Sequence, residues 1–430
     1  MKRLYAFRLL AALAGTAALA LATPGAAQAQ NVAITNVKII VGSGQIIDNG
    51  TIIVRDGKIE SVTAGAAPTT GLQVIDGKGM SAMPGFIDGH KHVNTGPEEK
   101  AQMQSLLEAG YTTILSAGGP GDGTLALKQH IDSGMINGPR VIASERVNLR
   151  STPDEARAAI RAMAAKGIKH TGEIGITPEP APPQAEIDVL KAVVDEGKKV
   201  GVQINVHAVS TPAMTAAIDA GITRLVHLPN KDWTGYEAAA KVNAANAIVA
   251  GLIAFGAPII DRDSPYPAQV QFGRDNSPRF RDGRAWPEAL AGANREPGGK
   301  ATGTEGGYTL INARRIFDAT GGKGISFSTD QNYADIVVLE HELKSFSVMF
   351  SQPEIFRIMG PNSATYVGMA DQIGTLEKGK LADIILLDGD PTLNIFEMLK
   401  TKVVLKEGKV VVDKRPTQAP AAAARPAAKK

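Results

Sequence analysis

The chain of 430 residues contains no cysteine. This absence excludes thiolate zinc sites and thiol nucleophiles, so any metal must be held by histidine, aspartate, glutamate or modified lysine. An exported protein without disulfides depends on a large core, a metal, or both, and about 400 mature residues are ample for such a core. A Gly-x-Gly-x-x-Gly motif after the first strand is also missing, which argues against a dinucleotide site.

Long apolar runs and basic clusters are scarce as well. No segment after the N-terminus is long and apolar enough to form a transmembrane helix. Aromatic residues make up 5% of the chain and do not alternate with a basic stripe, as they do in many nucleic-acid-binding proteins. The composition therefore favours a small-molecule substrate over a nucleic acid, and it leaves homo-oligomer formation open.

The N-terminus has the pattern of a secretory signal peptide over residues 1–29. Basic residues give it a positive start, an apolar run follows from Leu9 to Ala22, and Ala27-Gln28-Ala29 fits the small-x-small cleavage rule. A membrane anchor is the alternative, but the apolar run is shorter than a bilayer span. Cleavage removes three basic residues and takes the formal net charge from +3 to zero. We therefore expect a periplasmic or secreted protein with no membrane attachment after cleavage.

The two ends of the mature chain share a pattern that predicts short β-strands. Residues 30–82 and 371–415 both combine β-branched runs with tight-turn sequences, which indicates one small β-domain built from both ends. The middle segment, 83–370, alternates short apolar runs with helical patterns, so we predict an α/β fold with a parallel sheet. A closed barrel and a doubly wound sheet both satisfy this pattern.

Two segments depart from this organisation. Residues 261–308 are rich in proline, glycine and charge, which is typical of a long loop inserted as a lid, a binding loop or a disordered segment. The arginines of this loop would suit a carboxylate-bearing substrate, and a solvated charged loop is the alternative interpretation. Residues 416–430 consist mainly of alanine, proline and lysine, which predicts a disordered tail.

His90 and His92 are the first candidate metal ligands. They follow the apolar run Phe86-Ile87 and lie two residues apart. Side chains alternate between the faces of a β-strand, so both imidazoles point the same way and can bind one metal ion. A His-x-His pair alone is a weak signal, and it gains weight only from further ligands elsewhere in the chain.

Further ligand types occur at the ends of later predicted strands. His207 and His227 each end a strand, and one helix separates the two strands. The carboxyl ends of consecutive parallel strands meet at the same edge, which in a barrel is the catalytic face. Asp330 ends the predicted strand 324–329, where a buried carboxylate needs a metal, a cation or hydrogen-bond donors; a C-cap or turn role is the alternative.

These ligands lie within a longer set of motifs: Met83–His92, Gly110–Thr113, Asn137–Val141, Val206–Ala208, Ala220–His227, Ser328–Asp330 and Gly374–Asp383. Over about residues 32–413 the motifs resemble the amidohydrolase superfamily, in its imidazolonepropionase and Xaa-Pro-dipeptidase-like group. The resemblance implies a metal-dependent (β/α)8 TIM-like barrel, over residues 83–370, with a small β-sandwich domain formed by both chain ends.

The resemblance also implies a role for each ligand. His90 and His92 would hold the more buried metal ion together with Asp330, and His207 and His227 would hold a second ion. Asp330 would also accept a proton from the attacking water and pass it to the departing amine, as the catalytic residue. The implied cofactor is one or two divalent metal ions, with zinc preferred and manganese, cobalt or iron as alternatives.

The sequence departs from the family at the group that bridges the two ions, which is often a carbamylated lysine. The expected position, about five residues after the helix-ending Gly167, is Gly172. Lys169 lies near the strand start, which in a barrel is the end opposite to the catalytic face. Glu173 is one residue past the expected position. We expect Glu173 to be the bridging ligand, with carbamylated Lys169 as the alternative and a mononuclear site as a third interpretation.

The predicted function is hydrolysis of a C–N bond in a small amide, peptide or cyclic amide by a metal-activated hydroxide. The same hydroxide would serve a metal-dependent esterase, lactonase or organophosphate hydrolase, which is the alternative. A non-catalytic barrel scaffold is a further alternative, but it predicts missing metal ligands, and the five standard ones are present here.

Overall fold

A computed structural model describes residues 31–119, 121–253, 302–331 and 335–416 of the chain. The strands are β1 (Val32–Ile40), β2 (Ile46–Arg55), β3 (Lys58–Ala64), β4 (Gln73–Asp76), β5 (Ser81–Pro84), β6 (Phe86–Lys91), β7 (Tyr111–Ser116), β8 (Arg140–Ile142), β9 (Ser144–Glu145), β10 (His170–Gly175), β11 (Gln203–His207), β12 (Arg224–Val226), β13 (Ile248–Ala250), β14 (Ile325–Ser326), β15 (Ile384–Leu387), β16 (Thr401–Lys406) and β17 (Lys409–Asp413). The helices are α1 (Glu99–Ala109), α2 (Gly121–Asp132), α3 (Pro153–Ala165), α4 (Gln184–Val200), α5 (Thr211–Asp219), α6 (Tyr236–Ala244), α7 (Thr302–Ala319), α8 (Asp335–Met349), α9 (Gln352–Arg357) and α10 (Ser363–Tyr366). Within these ranges, no helix combines the length and the apolar character needed to cross a bilayer.

Several predicted segments fall partly or wholly outside the described residues. The signal peptide, 1–29, lies outside them, as does the predicted tail beyond residue 416. Most of the predicted loop 261–308 lies outside as well, but its last part is corrected by α7, which begins at Thr302. The glycines of residues 302–308 disfavour a helix, and buried residues at helical spacing anchor the rest of α7 against the core; these are Thr309, Asn312, Ala313 and Ile316.

One sheet contains strands from both ends of the chain. Its order is β17-β16-β15-β5-β1-β2-β3, and β4 pairs with β1. Strand β5 is parallel to β1 and antiparallel to β15, so that Met83 pairs with Ile385. This pairing also corrects the predicted boundary at residue 82, because Met83 and Pro84 belong to the sheet. Buried valine and isoleucine side chains form its core, since β-branched residues pack well on a pleated surface.

The middle of the chain forms two parallel sheets that meet at their edges. One contains β6 to β8 and the other β9 to β14, each with its strands in chain order. Only Ala143 separates β8 from β9, so the chain itself connects the sheets at one edge. At the other edge, the Gly89 N–H donates to the Phe327 carbonyl at 3.0 Å, and the Asp330 N–H donates to the His90 carbonyl at 2.8 Å.

Strand β6 connects the two parts of the protein. A single residue, Gly85, separates it from β5 of the end sheet. A Cβ atom on Gly85 would lie 2.2 Å from Cγ2 of Thr112, so only glycine fits at this position. Every residue of β6 is buried, as expected for a strand of a parallel sheet that is covered on both faces.

Arg140 links β8 to the C-terminal part of the end sheet. Its guanidinium donates to Asp383 at 2.7 Å, to Glu407 at 2.6 Å and to the Thr113 hydroxyl at 2.7 Å. The Asp383 side chain is 4% exposed, whereas that of Glu407 is 52% exposed. Arg140 therefore compensates a buried carboxylate at the contact between the two parts.

We predict that Arg140→Met lowers the free energy of unfolding by about 3 kcal/mol, because it leaves the buried Asp383 carboxylate without its cation. The control Glu407→Gln is expected to cost less than about 1 kcal/mol, because solvent screens the exposed partner. Urea unfolding followed by circular dichroism measures both values. Equal losses in the two variants would contradict the buried ion pair.

Candidate metal centre

The structure brings His90, His92 and Asp330 together. The histidines lie at the end of β6, and Asp330 follows β14 in the neighbouring sheet. The Oδ1 atom of Asp330 lies 3.1 Å from Nε2 of His90 and 2.9 Å from Nε2 of His92. Two imidazoles and one carboxylate thus converge at the edge where the two parallel sheets exchange backbone hydrogen bonds.

A second group contains Glu173, His207 and His227. Glu173 lies in β10, His207 ends β11, and His227 follows β12 directly. The register pairs His207 with Val226, the residue before His227, so both imidazoles lie at the same end of adjacent strands. The Oε2 atom of Glu173 is 2.9 Å from Nδ1 of His207 and 3.6 Å from Nε2 of His227.

Glu173 belongs to both groups. Its Oε2 atom is 3.7 Å from Nε2 of His90, and its Oε1 atom is 4.0 Å from Nε2 of His92. Within each group the potential ligand atoms all lie within 4.8 Å of one another. A carboxylate shared by both groups would be available as a ligand to an ion in either group.

The structure places Lys169 away from this centre. It lies just before β10 with an exposed side chain, four positions before Glu173 along the chain, a distance of about 13 Å in a strand. At Gly172 an added Cβ atom would lie 2.6 Å from the Cα atom of Gly118. Position 172 therefore accepts no side chain, and Glu173 is the β10 residue that reaches both groups.

Two of the candidate ligands have left-handed backbone conformations. The φ angle is 65° at His227 and 59° at Asp330. Such conformations cost about 1–3 kcal/mol in non-glycine residues and persist where the surroundings impose them. The loop after His227 is held by Asn312, whose Nδ2 donates to the carbonyls of Pro229 and Asp232 at 2.9 Å each. Nothing in the sequence pattern indicated this conformation.

The protonation states of three ligands suit metal binding. Burial acts to raise the pKa of Glu173, but hydrogen bonds from His207 and His227 hold that pKa well below its ordinary value. Burial likewise acts to raise the pKa of Asp330, but hydrogen bonds from His90 and His92 hold it far below its ordinary value. Burial lowers the pKa of His227 to about 4. Charged carboxylates and neutral imidazoles are the forms that bind metals.

The pKa of His90 indicates that a cation fits between Asp330 and Glu173. Burial lowers this pKa, but the hydrogen bond and the charge of Asp330, together with the charge of Glu173, raise it above the ordinary value overall. The two carboxylates thus favour positive charge between them. A divalent ion at this point would take the place of the proton, and the four imidazoles and two carboxylates are ligands that such ions accept.

Asp88 is a buried residue of the site that the sequence analysis missed. Its Oδ1 atom accepts hydrogen bonds from the N–H groups of His90 at 3.0 Å and Thr329 at 3.2 Å, and its Oδ2 atom accepts one from the Thr329 hydroxyl at 2.6 Å. Burial raises the pKa of Asp88 to about 6. Asp88 lies two residues before His90 on the same strand, and this spacing was the feature of the sequence that could have marked it as a site residue.

Arg146 is the second missed residue, and it lies at a cavity beside Glu173. One guanidinium nitrogen is 3.8 Å from Oε1 of Glu173, and the side chain is half-exposed. The cavity has a volume of about 530 Å³ and is lined by Arg146, Val147, Asn148, Leu149, Arg150, Glu173, Gly175, Ile176, Thr177, Glu186 and His207. Arg146 directly follows β9. This place at a strand end was the only feature of the sequence that could have marked it as a site residue.

Comparisons with known proteins agree with this architecture. The chain matches the sequence pattern of the amidohydrolase family over residues 81–279 and 288–411. The imidazolonepropionase of Geobacillus kaustophilus (strain HTA426) is 24% identical over 419 residues, which cover 87% of this chain and 91% of that protein. That of Caldanaerobacter subterraneus subsp. tengcongensis is 39% identical over 74 residues, which cover only 17% of this chain and 18% of that protein.

A likeness in structure extends over nearly the whole described chain. The crystal structure of a Xaa-Pro dipeptidase with bound methionine in the active site has a TM-score of 0.71 at 20% sequence identity. The match covers 89% of this chain and 99% of that chain. At this level of identity the likeness establishes a common fold.

Two variants distinguish Glu173 from carbamylated Lys169 as the candidate bridging ligand. We predict that Glu173→Gln weakens metal affinity by more than about tenfold, because the shared carboxylate charge is lost. Lys169→Met is the control, and it is expected to keep its metal, because the Lys169 side chain is exposed at the opposite end of β10. Metal analysis of both purified variants after dialysis measures the difference. Loss of metal from Lys169→Met but not from Glu173→Gln would favour a carbamylated lysine.

Proposed function

We propose that this chain, which belongs to the amidohydrolase family, is an exported enzyme that cleaves the C–N bond of a small amide, peptide or cyclic amide. Its family membership makes it a metal-dependent hydrolase of C–N bonds that acts on small molecules. Export, the identity of the metal and the type of substrate are what the proposal adds. We also propose that the two parallel sheets form one eight-stranded barrel, in which β8 and β9, separated only by Ala143, count as one strand, with the metal centre at the carboxyl ends of its strands.

The position of Glu173 between the two groups of ligands is the observation that best supports the proposal. It gives a place for two ions, one beside His90, His92 and Asp330 and the other beside His207 and His227. Zinc is the proposed metal, because it accepts imidazole and carboxylate ligands readily. When bound, such ions lower the pKa of a water molecule toward neutrality and polarise the carbonyl group of the substrate.

Asp330 is the proposed proton carrier of the reaction. Its carboxylate is charged near neutral pH, because the hydrogen bonds from His90 and His92 hold its pKa low. It would accept a proton from the attacking water and then deliver that proton to the nitrogen of the leaving group. An amine is a poor leaving group unless it is protonated. Amide cleavage therefore requires this proton transfer more than ester cleavage does.

The cavity beside Glu173 is the proposed substrate site. Arg146 and Arg150 line it, and both are cations that can pair with an anionic group of a substrate. The name of one structural neighbour, a Xaa-Pro dipeptidase, supports a peptide-like substrate. We therefore favour small amides that carry a carboxylate close to the scissile bond.

Metal analysis combined with a hydrolysis screen tests the proposal. Purified protein is assayed on matched amide and ester pairs, each with and without a free carboxylate, before and after chelation and after metal is restored. We expect amide cleavage that chelation abolishes and metal restores, with faster cleavage of the carboxylate-bearing amides. Cleavage of the esters alone would support an esterase or lactonase, and activity that survives complete metal removal would contradict the proposal. The mature N-terminus of protein recovered from the periplasm or medium tests export.

We predict that Asp330→Asn lowers kcat for an amide by about 10²- to 10⁴-fold, because the amide cannot carry the proton. Circular dichroism and metal analysis of the same sample check that the fold and the metal are retained. The exposed Asp371→Asn is the matched control and is expected to keep normal activity. A kcat near that of the unchanged chain would exclude Asp330 as the proton carrier.

A further inference from the structure

Lys91 is a buried cation that the proposed chemistry does not use. It stands between His90 and His92 in β6, and its side chain is 0% exposed. Neighbouring residues of a strand point to opposite faces, so the Lys91 side chain projects away from the two imidazoles. Its ammonium group lies 2.7 Å from Oδ1 of Asp335, the first residue of α8, whose side chain is 2% exposed.

A chain of hydrogen bonds leads from Lys91 back to the metal ligands. The Lys91 ammonium donates to Oγ1 of Thr329 at 3.3 Å, and the Thr329 hydroxyl donates to Oδ2 of Asp88 at 2.6 Å. Asp88 accepts the backbone N–H of His90. The Thr329 hydroxyl has one proton. Because its oxygen accepts a hydrogen bond from Lys91, that proton is directed toward Asp88. Lys91 and Asp88 therefore orient the Thr329 hydroxyl together.

Thr329 is the residue directly before Asp330. Asp330 has a left-handed backbone with φ of 59°, and its N–H donates to the His90 carbonyl at 2.8 Å. A conformation of this kind persists only where neighbouring contacts impose it. The Thr329 side chain contacts Asp88 and Lys91, which both lie in β6. These contacts connect the segment of Asp330 to the strand that leads to His90 and His92.

Stability alone does not account for this arrangement. Replacing a buried ion pair with apolar residues of similar volume is often neutral or stabilising. An apolar pair at positions 91 and 335 would lack the donor that orients the Thr329 hydroxyl. The contact that a lysine supplies here, and that an apolar residue would lose, is its hydrogen bond toward the candidate metal ligands.

We propose that Lys91 is a positioning residue for the metal centre. Held by Asp335, it donates to Thr329 and so keeps Asp330 at the distance from His90 and His92 at which the three bind one ion. This inference rests on the proposed function, because it requires that a metal binds at this group. Changes that break the chain of hydrogen bonds should weaken metal binding even when the protein remains folded.

Two independent variants test this role. Thr329→Val removes the hydroxyl and leaves the ion pair, and the matched Thr329→Ser keeps a hydroxyl at the same place. The double variant Lys91→Met with Asp335→Leu removes both charges of the ion pair together, so the Asp335 carboxylate is not left buried without its cation, and Asp88 keeps its hydrogen bonds from Thr329 and His90. Lys38→Met is the control for loss of an ion pair elsewhere, because Lys38, in β1 of the end sheet, lies 2.6 Å from Asp390.

The measurements are the dissociation constant of Co²⁺ in competition with a chelator, the visible absorption spectrum of the Co²⁺ form, and the thermal midpoint of the metal-free form. We expect Thr329→Val and the double variant to bind Co²⁺ about 10- to 100-fold more weakly, with a changed spectrum. Thr329→Ser is expected to stay within about threefold of the unchanged chain. Lys38→Met is expected to lower the thermal midpoint and leave the dissociation constant unchanged.

Three results would overturn the inference. One is a dissociation constant for Thr329→Val and the double variant that equals that of the unchanged chain. Another is a loss of affinity that merely follows the thermal midpoint in every variant, Lys38→Met included. The third is an unchanged chain that binds no Co²⁺, and this result alone would also remove the proposed function.

Discussion

Two carboxylates with little contact to solvent, Glu173 and Asp330, impose the condition that the rest of the site satisfies. Moving an ionised carboxylate out of water is costly unless cations or hydrogen-bond donors compensate it. Imidazoles from three strands do so here, with contacts of 2.9 Å from His92 to Asp330 and from His207 to Glu173. A divalent ion between the same groups would compensate these charges more strongly.

The scaffold holds these charges in place through strands and the residues that directly follow them. Strand β6 starts one residue after the end sheet, at Gly85, and carries His90 and His92 at its other end. Its edge joins the second parallel sheet through the bond from Asp330 to the His90 carbonyl. The candidate ligands His90, His92 and Asp330 therefore come from two sheets that backbone hydrogen bonds hold together, which favours a preorganised site.

Much of the candidate site could be predicted from local pattern. The two-residue spacing of His90 and His92 required only the alternation of a strand, and His207 and His227 required only that parallel strands end at a common edge. The preference for Glu173 over Lys169 followed from counting residues along one strand. Arg146 was missed, because a lone polar residue at a strand end has no period that marks its role, and Asp88 was missed although it shares the two-residue spacing of His90 and His92.

The sequence by itself determined which side chains can bind a metal, on which strand each lies, and which face of the strand it shares. Only the tertiary structure decided that both groups of ligands meet at Glu173, and that Lys91 reaches Thr329 across 238 residues of chain. The left-handed backbones of His227 and Asp330 were also decided there. The physical reason is that periodicity describes neighbours along the chain, whereas distances between strands depend on register and on how the sheets meet at their edges.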